Sequence, residues 1–241
     1  MTLSVIRNHL SVRGLALFGI AAGLVAISGC QVDNALGPTN NQGIVQFINA
    51  ANSYATADLF VDGVDTLSGL PYGYGSSVYV GASTTPRSIA IRSAPDTTTI
   101  ASSQLLVETQ GTYAIILTQH TSGAGLLVLP DTVTPPPVNS IGLRIVNVAP
   151  SAGAVDVYIT GADSTALTAP VATNIPFEGV MNYQYAGVGA VHLVVTNAGT
   201  KTVLLDANAS ALTSGQVRTI VVIDAAGGGL PVTWLAIPDI G

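Results

Sequence analysis

The chain has 241 residues, 48% hydrophobic and only 8% charged, with 7 basic against 13 acidic side chains and a net charge of −6. That acidic balance, with Lys201 as the one lysine, argues against nucleic acid or anionic lipid as a partner. A single cysteine excludes an intrachain disulfide, so the fold must be held by its cores alone.

The N-terminus comes first in chain order. Arg7 and Arg13 form a basic region, Leu15 to Val25 an apolar one, and Ala26-Ile27-Ser28-Gly29 runs into the lone Cys30. The apolar stretch is too short to span a bilayer comfortably. The segment resembles a bacterial lipoprotein signal, with Ile27, Ser28 and Gly29 matching the lipobox. Residues 1–29 are then the expected signal peptide and Cys30 the lipidated first residue, the membrane being reached through its acyl chains. The other reading is a buried structural thiol beside an ordinary signal peptide. Gln31 follows Cys30 where an aspartate would be the usual inner-membrane retention signal, which favours the outer membrane in a Gram-negative cell. Beyond Cys30 the balance is five basic against thirteen acidic side chains, a net −8 over 212 residues.

Residues 30–43 are rich in turn formers and read as a flexible tether. After them, short runs such as Ile44–Ile48, Asp58–Val61, Ser77–Val80, Ser88–Ile91 and Tyr113–Leu117 alternate with Gly, Asn, Asp, Ser and Thr clusters. Their Val, Ile, Thr and Tyr content suits pleated, half-buried strands, and no stretch shows capped helical periodicity. The class is all-β.

The chain also repeats itself. Val45-Gln-Phe-Ile-Asn-Ala-Ala51 aligns with Leu143-Arg-Ile-Val-Asn-Val-Ala149, and Ala57-Asp58-Leu59-Phe60-Val61 with Val155-Asp156-Val157-Tyr158-Ile159, both at an offset of 98 residues. Leu70-Pro71-Tyr72-Gly73 echoes Ile175-Pro176-Phe177-Glu178-Gly179, Tyr79-Val80-Gly81 echoes Tyr185-Ala186-Gly187, and Leu129-Pro130-Asp131 echoes Ile237-Pro238-Asp239. The expected organisation is two tandem Ig-like antiparallel β-sandwich modules, residues 44–131 and 142–241, each with seven to nine short strands. Between them, residues 132–141 carry Pro135-Pro136-Pro137, a semi-rigid spacer. One continuous barrel across both copies is the alternative that this spacer disfavours.

Several repeated residues have structural explanations. Asp62-Gly63 is a strong hairpin signal, with Gly161 after Thr160 in the same role in the second copy. The Pro71-Tyr72 and Pro176-Phe177 units read as corners with an aromatic packed inward. Together, Asn147-Val-Ala-Pro150, Val155-Asp156-Val157-Tyr158, Ile175-Pro176-Phe177 and Tyr185-Ala186-Gly187 resemble the DUF4397 family. The first copy departs from that pattern, with Asn52 in place of proline and Leu59-Phe60 in place of Val-Tyr. The resemblance covers residues 44–131 and 142–239 and implies a secreted or surface-attached bacterial β-domain, often in tandem, with no established activity.

Candidate chemistry is sparse. There is no G-x-S-x-G elbow, and the two histidines beyond the signal, His120 at an expected hairpin tip and His192 in an expected strand, read as exposed polar residues rather than triad members. Transition metals need clustered His or Cys, which are lacking. The densest acidic loop, Asp62 and Asp65, lacks the order of a calcium loop and reads as a solvated hairpin, although it could serve with Tyr72 and Tyr74 as a binding loop. The repeated acid, Asp58 and Asp156, could face a ligand in both modules, or pair with a neighbouring strand. The expectation is therefore a noncatalytic lipid-anchored envelope protein for binding, adhesion or scaffolding, with no cofactor and with an envelope protein or polysaccharide as partner. An envelope polysaccharide or peptidoglycan hydrolase using Glu178 or Asp156 is the alternative.

Overall fold

Among the described residues, sixteen strands account for nearly all the regular structure, because the alternating β-branched runs leave no apolar stripe at helical spacing. The computed structural model describes residues 41–95, 98–132, 134–161 and 167–238. Cys30, the expected signal peptide, most of the tether and Asp163 lie outside them.

The first module contributes β1 (Gln42–Asn49), β2 (Thr56–Val61), β3 (Val64–Pro71), β4 (Tyr74–Gly81), β5 (Arg87–Ser93), β6 (Thr99–Leu105), β7 (Thr112–His120) and β8 (Gly123–Pro130). They form two four-stranded sheets, β3-β2-β5-β6 and β4-β1-β7-β8. The second module repeats the plan with β9 (Ser140–Asn147), β10 (Val155–Gly161), β11 (Ala172–Ile175), β12 (Gly179–Gly187), β13 (Gly189–Asn197), β14 (Val203–Leu212), β15 (Val217–Ile223) and β16 (Thr233–Pro238). Its sheets are β11-β10-β13-β14 and β12-β9-β15-β16. Pairing is antiparallel except in one place per module, where β1 runs parallel to β7 and β9 parallel to β15. Those pairs join strands far apart in the chain, so no tight hairpin constrains their direction.

Each module has its own core. Phe47, Leu59, Ile89, Ile91 and Ile115 fill the first sandwich, and Leu143, Ile145, Val157, Leu193 and Ile220 the second. A third core lies between the modules. Ile48, Ala50, Ala114 and Ile116 from β1, β7 and the residue after β1 meet Val146, Val148, Val221, Ile223 and Ile237, with Tyr72, Leu127, Phe177 and Leu235 at its margin. The two inner sheets therefore pack face to face, and β1 and β9 are buried on both sides along almost their whole length. That burial is why these strands carry continuous apolar runs rather than alternation. The proline segment connects the modules without holding them apart.

The seam follows an approximate two-fold relation. Gln46 and Arg144 are equivalent by the 98-residue offset. Gln46 Nε2 donates to the Pro238 carbonyl at 2.6 Å, and Arg144 Nη1 to the equivalent Pro130 carbonyl at 3.2 Å. Such reciprocal contact is the mark of an isologous interface. It places the start of β1, the end of β8, the start of β9 and the end of β16 at one end of the stack. The opposite end carries the β3–β4 turn, the β7–β8 turn, the 3-10 turn Pro150–Ala152 and the loop after β15.

Candidate functional site

The residues shared by the two copies are held by matched hydrogen bonds. Asn49 Nδ2 donates to the carbonyls of Tyr54 and Leu70 while its Oδ1 accepts from the Ala51 amide. Asn147 does the same with Gly153, Ile175 and Ala149. Both are fully buried, and each ties the end of a central strand to the crossover that leaves it. Sequence reasoning quoted these asparagines without giving them a task.

The repeated acid closes a bulge. Asp58 Oδ1 accepts from the Gly69 amide at 2.6 Å, and Asp156 Oδ1 from the equivalent Asn174 amide at 2.8 Å. Gly69 and Asn174 both adopt positive φ, and the register of β2–β3 and β10–β11 shifts beside them. The second oxygen of Asp156 accepts from the Gly199 amide at 2.8 Å. That carboxylate is buried and turned toward backbone donors.

The four residues Asp62, Asp65, Tyr72 and Tyr74 do not come together in one loop. Asp62 and Gly63, both at positive φ, make a two-residue turn between β2 and β3. Asp62 accepts from Arg87 Nη1 at 2.7 Å and from the Ser88 amide at 2.8 Å. The Arg87 guanidinium, helped by that amide, holds its carboxyl below the usual carboxylate range. Asp65 accepts from Ser68 Oγ. Tyr72 and Tyr74 sit at the other end of β3, about 20 Å of strand away. Tyr72 Oη donates to the Asp224 carbonyl across the seam at 2.7 Å, and burial together with the Asp224 charge pushes its hydroxyl up to about 12. The Pro-aromatic corners thus pack inward against the other module rather than their own. Tyr74 is 63% exposed. Gly161 is also placed differently from expectation: it still pairs with Val191 inside β10 rather than opening a turn.

The histidines occupy two polar clusters. His120 ends β7, where its Nε2 lies 2.9 Å from Glu178 Oε1 and its ring meets Phe177 edge-on. Thr118 Oγ1 donates to the same Glu178 oxygen at 2.6 Å, so the cluster bridges the modules. Glu178 has φ of 60° at the slot where the first module has Gly73, and both amides donate to the preceding asparagine's carbonyl. His192 is buried, contrary to the exposed position expected, because residues on β10 and β14 flank it in the outer sheet. It lies 2.6 Å from Asp206 Oδ1 and 3.2 Å from Thr160 Oγ1. The sequence hydroxyl–imidazole–carboxylate suggests a triad, but here the carboxylate is the exposed member and the imidazole the buried one. Acyl transfer needs the reverse. Among the described residues no three His, Cys, Asp or Glu side chains cluster to hold a metal.

One buried ion pair spans the seam. Arg144 Nη2 donates to Asp131 Oδ1, its Nε donates to Thr219 Oγ1, and its guanidinium lies over the Tyr183 ring. Burial raises the Asp131 carboxyl above its ordinary value, and Arg144 only partly opposes this. Each outer sheet also repeats a cation over an aromatic ring. Arg92 covers Phe60 at 3.9 Å, and Lys201 covers the equivalent Tyr158 at 4.3 Å.

A DUF4397 domain, described as a domain of unknown function, is found at residues 43–158, from β1 into β10. No curated relative matches the sequence. Among solved structures, the chain is similar to a family CBM26 module of Eubacterium rectale Amy13K in complex with maltoheptaose, at 13% identity over 81% of this chain and 97% of that one, with a TM-score of 0.29. It is similar to the Bacillus anthracis TIE protein at 11% identity over 76% of this chain and 34% of that one, with a TM-score of 0.26. A streptococcal virulence factor described as binding alpha-glucan matches at 9% identity over 74% and 92%, also with a TM-score of 0.26. Likenesses at these scores carry no argument about what this chain binds.

Proposed function

We propose that this chain is a noncatalytic, lipid-anchored protein of the cell envelope, in the outer membrane where the cell has one. Two DUF4397-like modules would act in it as one binding body. The observation that carries the reading is how the candidate catalytic acids are used. Asp156 is taken up by two backbone amides and Glu178 by Thr118 and His120. Tyr74 and the His120–Glu178 cluster lie at the end of the stack opposite the start of β1. Several acyl chains on Cys30 would anchor it stably, each buried methylene adding about 0.8 kcal/mol.

Two measurements test this. Labelled palmitate is expected in the wild-type protein and not in Cys30→Ala, which should leave the membrane fraction; an unlabelled wild type rejects the anchor. Saturable capture of envelope or exopolysaccharide extract by the immobilised protein is expected. Turnover of peptidoglycan or polysaccharide that is lost in Glu178→Gln or Asp156→Asn would reject the noncatalytic reading.

A further inference from the structure

The duplication provides an internal comparison on the two outer sheets. In the second module the lysine over the aromatic ring has two acceptors, since Lys201 Nζ donates to Tyr158 Oη and to the Leu167 carbonyl, both at 2.7 Å. In the first module Phe60 has no hydroxyl, and Arg92 donates to no acceptor among the described residues. Its cross-strand neighbour is Asp58, yet the two form no ion pair, because the guanidinium lies on Phe60 and Asp58 is turned to Gly69. Nε is buried without a hydrogen-bond partner, while the side chain as a whole is only half-buried.

A guanidinium held 3.9 Å from a ring centroid, with no acceptor on its Nη groups among the described residues, can pair with a bidentate carboxylate. Stacking on Phe60 has already restricted the rotamers that a free arginine would lose on binding. Around it, the outward positions of β5 and β6 present Ser88, Ser102 and Gln104, all exposed. These are hydroxyl and amide groups suited to a hydroxyl-rich ligand on a flat sheet. Among the described acids of this sheet, Asp58 accepts from the Gly69 amide, Asp62 from Arg87 and Asp65, opposite Phe60 on β3, from Ser68.

We propose that the Arg92–Phe60 face of the first module binds a carboxylate-bearing saccharide, with Arg92 Nη1 and Nη2 pairing the carboxylate. Ser88, Ser102 and Gln104 then meet the sugar hydroxyls. The site rests on the reading of the chain as a binding protein and names its ligand class.

Calorimetric titration of the full chain in nonionic-detergent micelles with trigalacturonate tests it, using maltotriose and acetate as controls. Saturable binding of trigalacturonate is expected, weakening as salt rises. It should fall more than tenfold in Arg92→Ala, weaken in Arg92→Lys, which keeps the charge but loses the fork, and stay unchanged in Lys201→Ala. No saturable binding by the wild type, equal binding by Arg92→Ala, or equal affinity for maltotriose or acetate would overturn the proposal. Envelope capture that survives in Arg92→Ala would reject this site while leaving the general binding reading intact.

Discussion

Gln46 and Arg144 stand at the same position in the two modules and reach across one seam in opposite directions, each to the carbonyl of the other module's terminal strand proline. The middle of the seam is an apolar layer, with Ile48 and Ile116 against Val146 and Val221. Such a layer is a core cut through by pseudo-symmetry, and its loss is felt by both modules. Ile116→Ala should cost about 2–5 kcal/mol, as for other buried isoleucines. Urea unfolding followed by Trp234 fluorescence in the second module and by circular dichroism of the whole should move together. A Trp234 transition left unchanged would mean the modules unfold separately.

The Arg144–Asp131 pair makes a prediction with a definite sign. Because burial raises the Asp131 carboxyl, the folded protein holds that proton more tightly than the unfolded chain. The stability it contributes is fully present below the unfolded value and is lost as pH rises through the folded one. Asp131→Asn has no such proton, so the stability difference between wild type and variant should narrow from pH 4 to pH 7. A widening difference in urea midpoints would show that the arginine outweighs burial. Asp131→Ala removes the carboxylate that accepts from Arg144 Nη2 and should lower stability in urea titration at pH 7 by about 1–3 kcal/mol.

Much of this architecture could be read from the chain. The offset of 98 residues that pairs Asp58 with Asp156 also pairs their bulges, and Asp62-Gly63 forms the turn its residue types demand. What local pattern cannot reveal is which surface a buried face meets. The run Ile44–Ile48 has no polar alternation except Gln46, a sign of burial on both sides, yet the covering layer comes from residues a hundred positions away. Prolines 135–137 suggest separation because they stiffen the linker, but stiffness does not oppose packing when the end of β8 and the start of β9 lie at the same end of the stack. His192 alternates with Val191 and Leu193 as an outward strand residue should, and only the flanking strands make that outward face a buried one. The cation over Phe60 escaped notice because Arg92 becomes its neighbour only through the β2–β5 pairing.

The asparagine clamps should rank among the most sensitive polar positions. Asn147→Ala strips two carbonyls and one amide of their partners in a fully buried site. Each unsatisfied buried group costs about 1–3 kcal/mol, with relaxation and water entry reducing the total. A loss of about 3 kcal/mol is expected in denaturant titration, and Asn147→Asp should be no better, since a carboxylate cannot donate to the Gly153 and Ile175 carbonyls. A loss under 1 kcal/mol would mean that water replaces the clamp.

Glu178 weighs backbone strain against a seam contact. Its φ of 60° is a conformation that favours glycine, which is the residue at the equivalent position in the first module. Its carboxylate in return holds Thr118 at 2.6 Å and His120 at 2.9 Å in the other module. Glu178→Ala keeps the strained backbone and loses the contact, so it should cost about 2 kcal/mol. Glu178→Gly loses the same contact but relieves the left-handed strain, partly offset by the greater freedom of an unfolded glycine. The expected order of stability is therefore Glu, then Gly, then Ala, with about 1 kcal/mol between the two variants. If alanine proves as stable as glycine by thermal and urea unfolding, the backbone at 178 is not strained and the carboxylate contact alone explains why glutamate stands there.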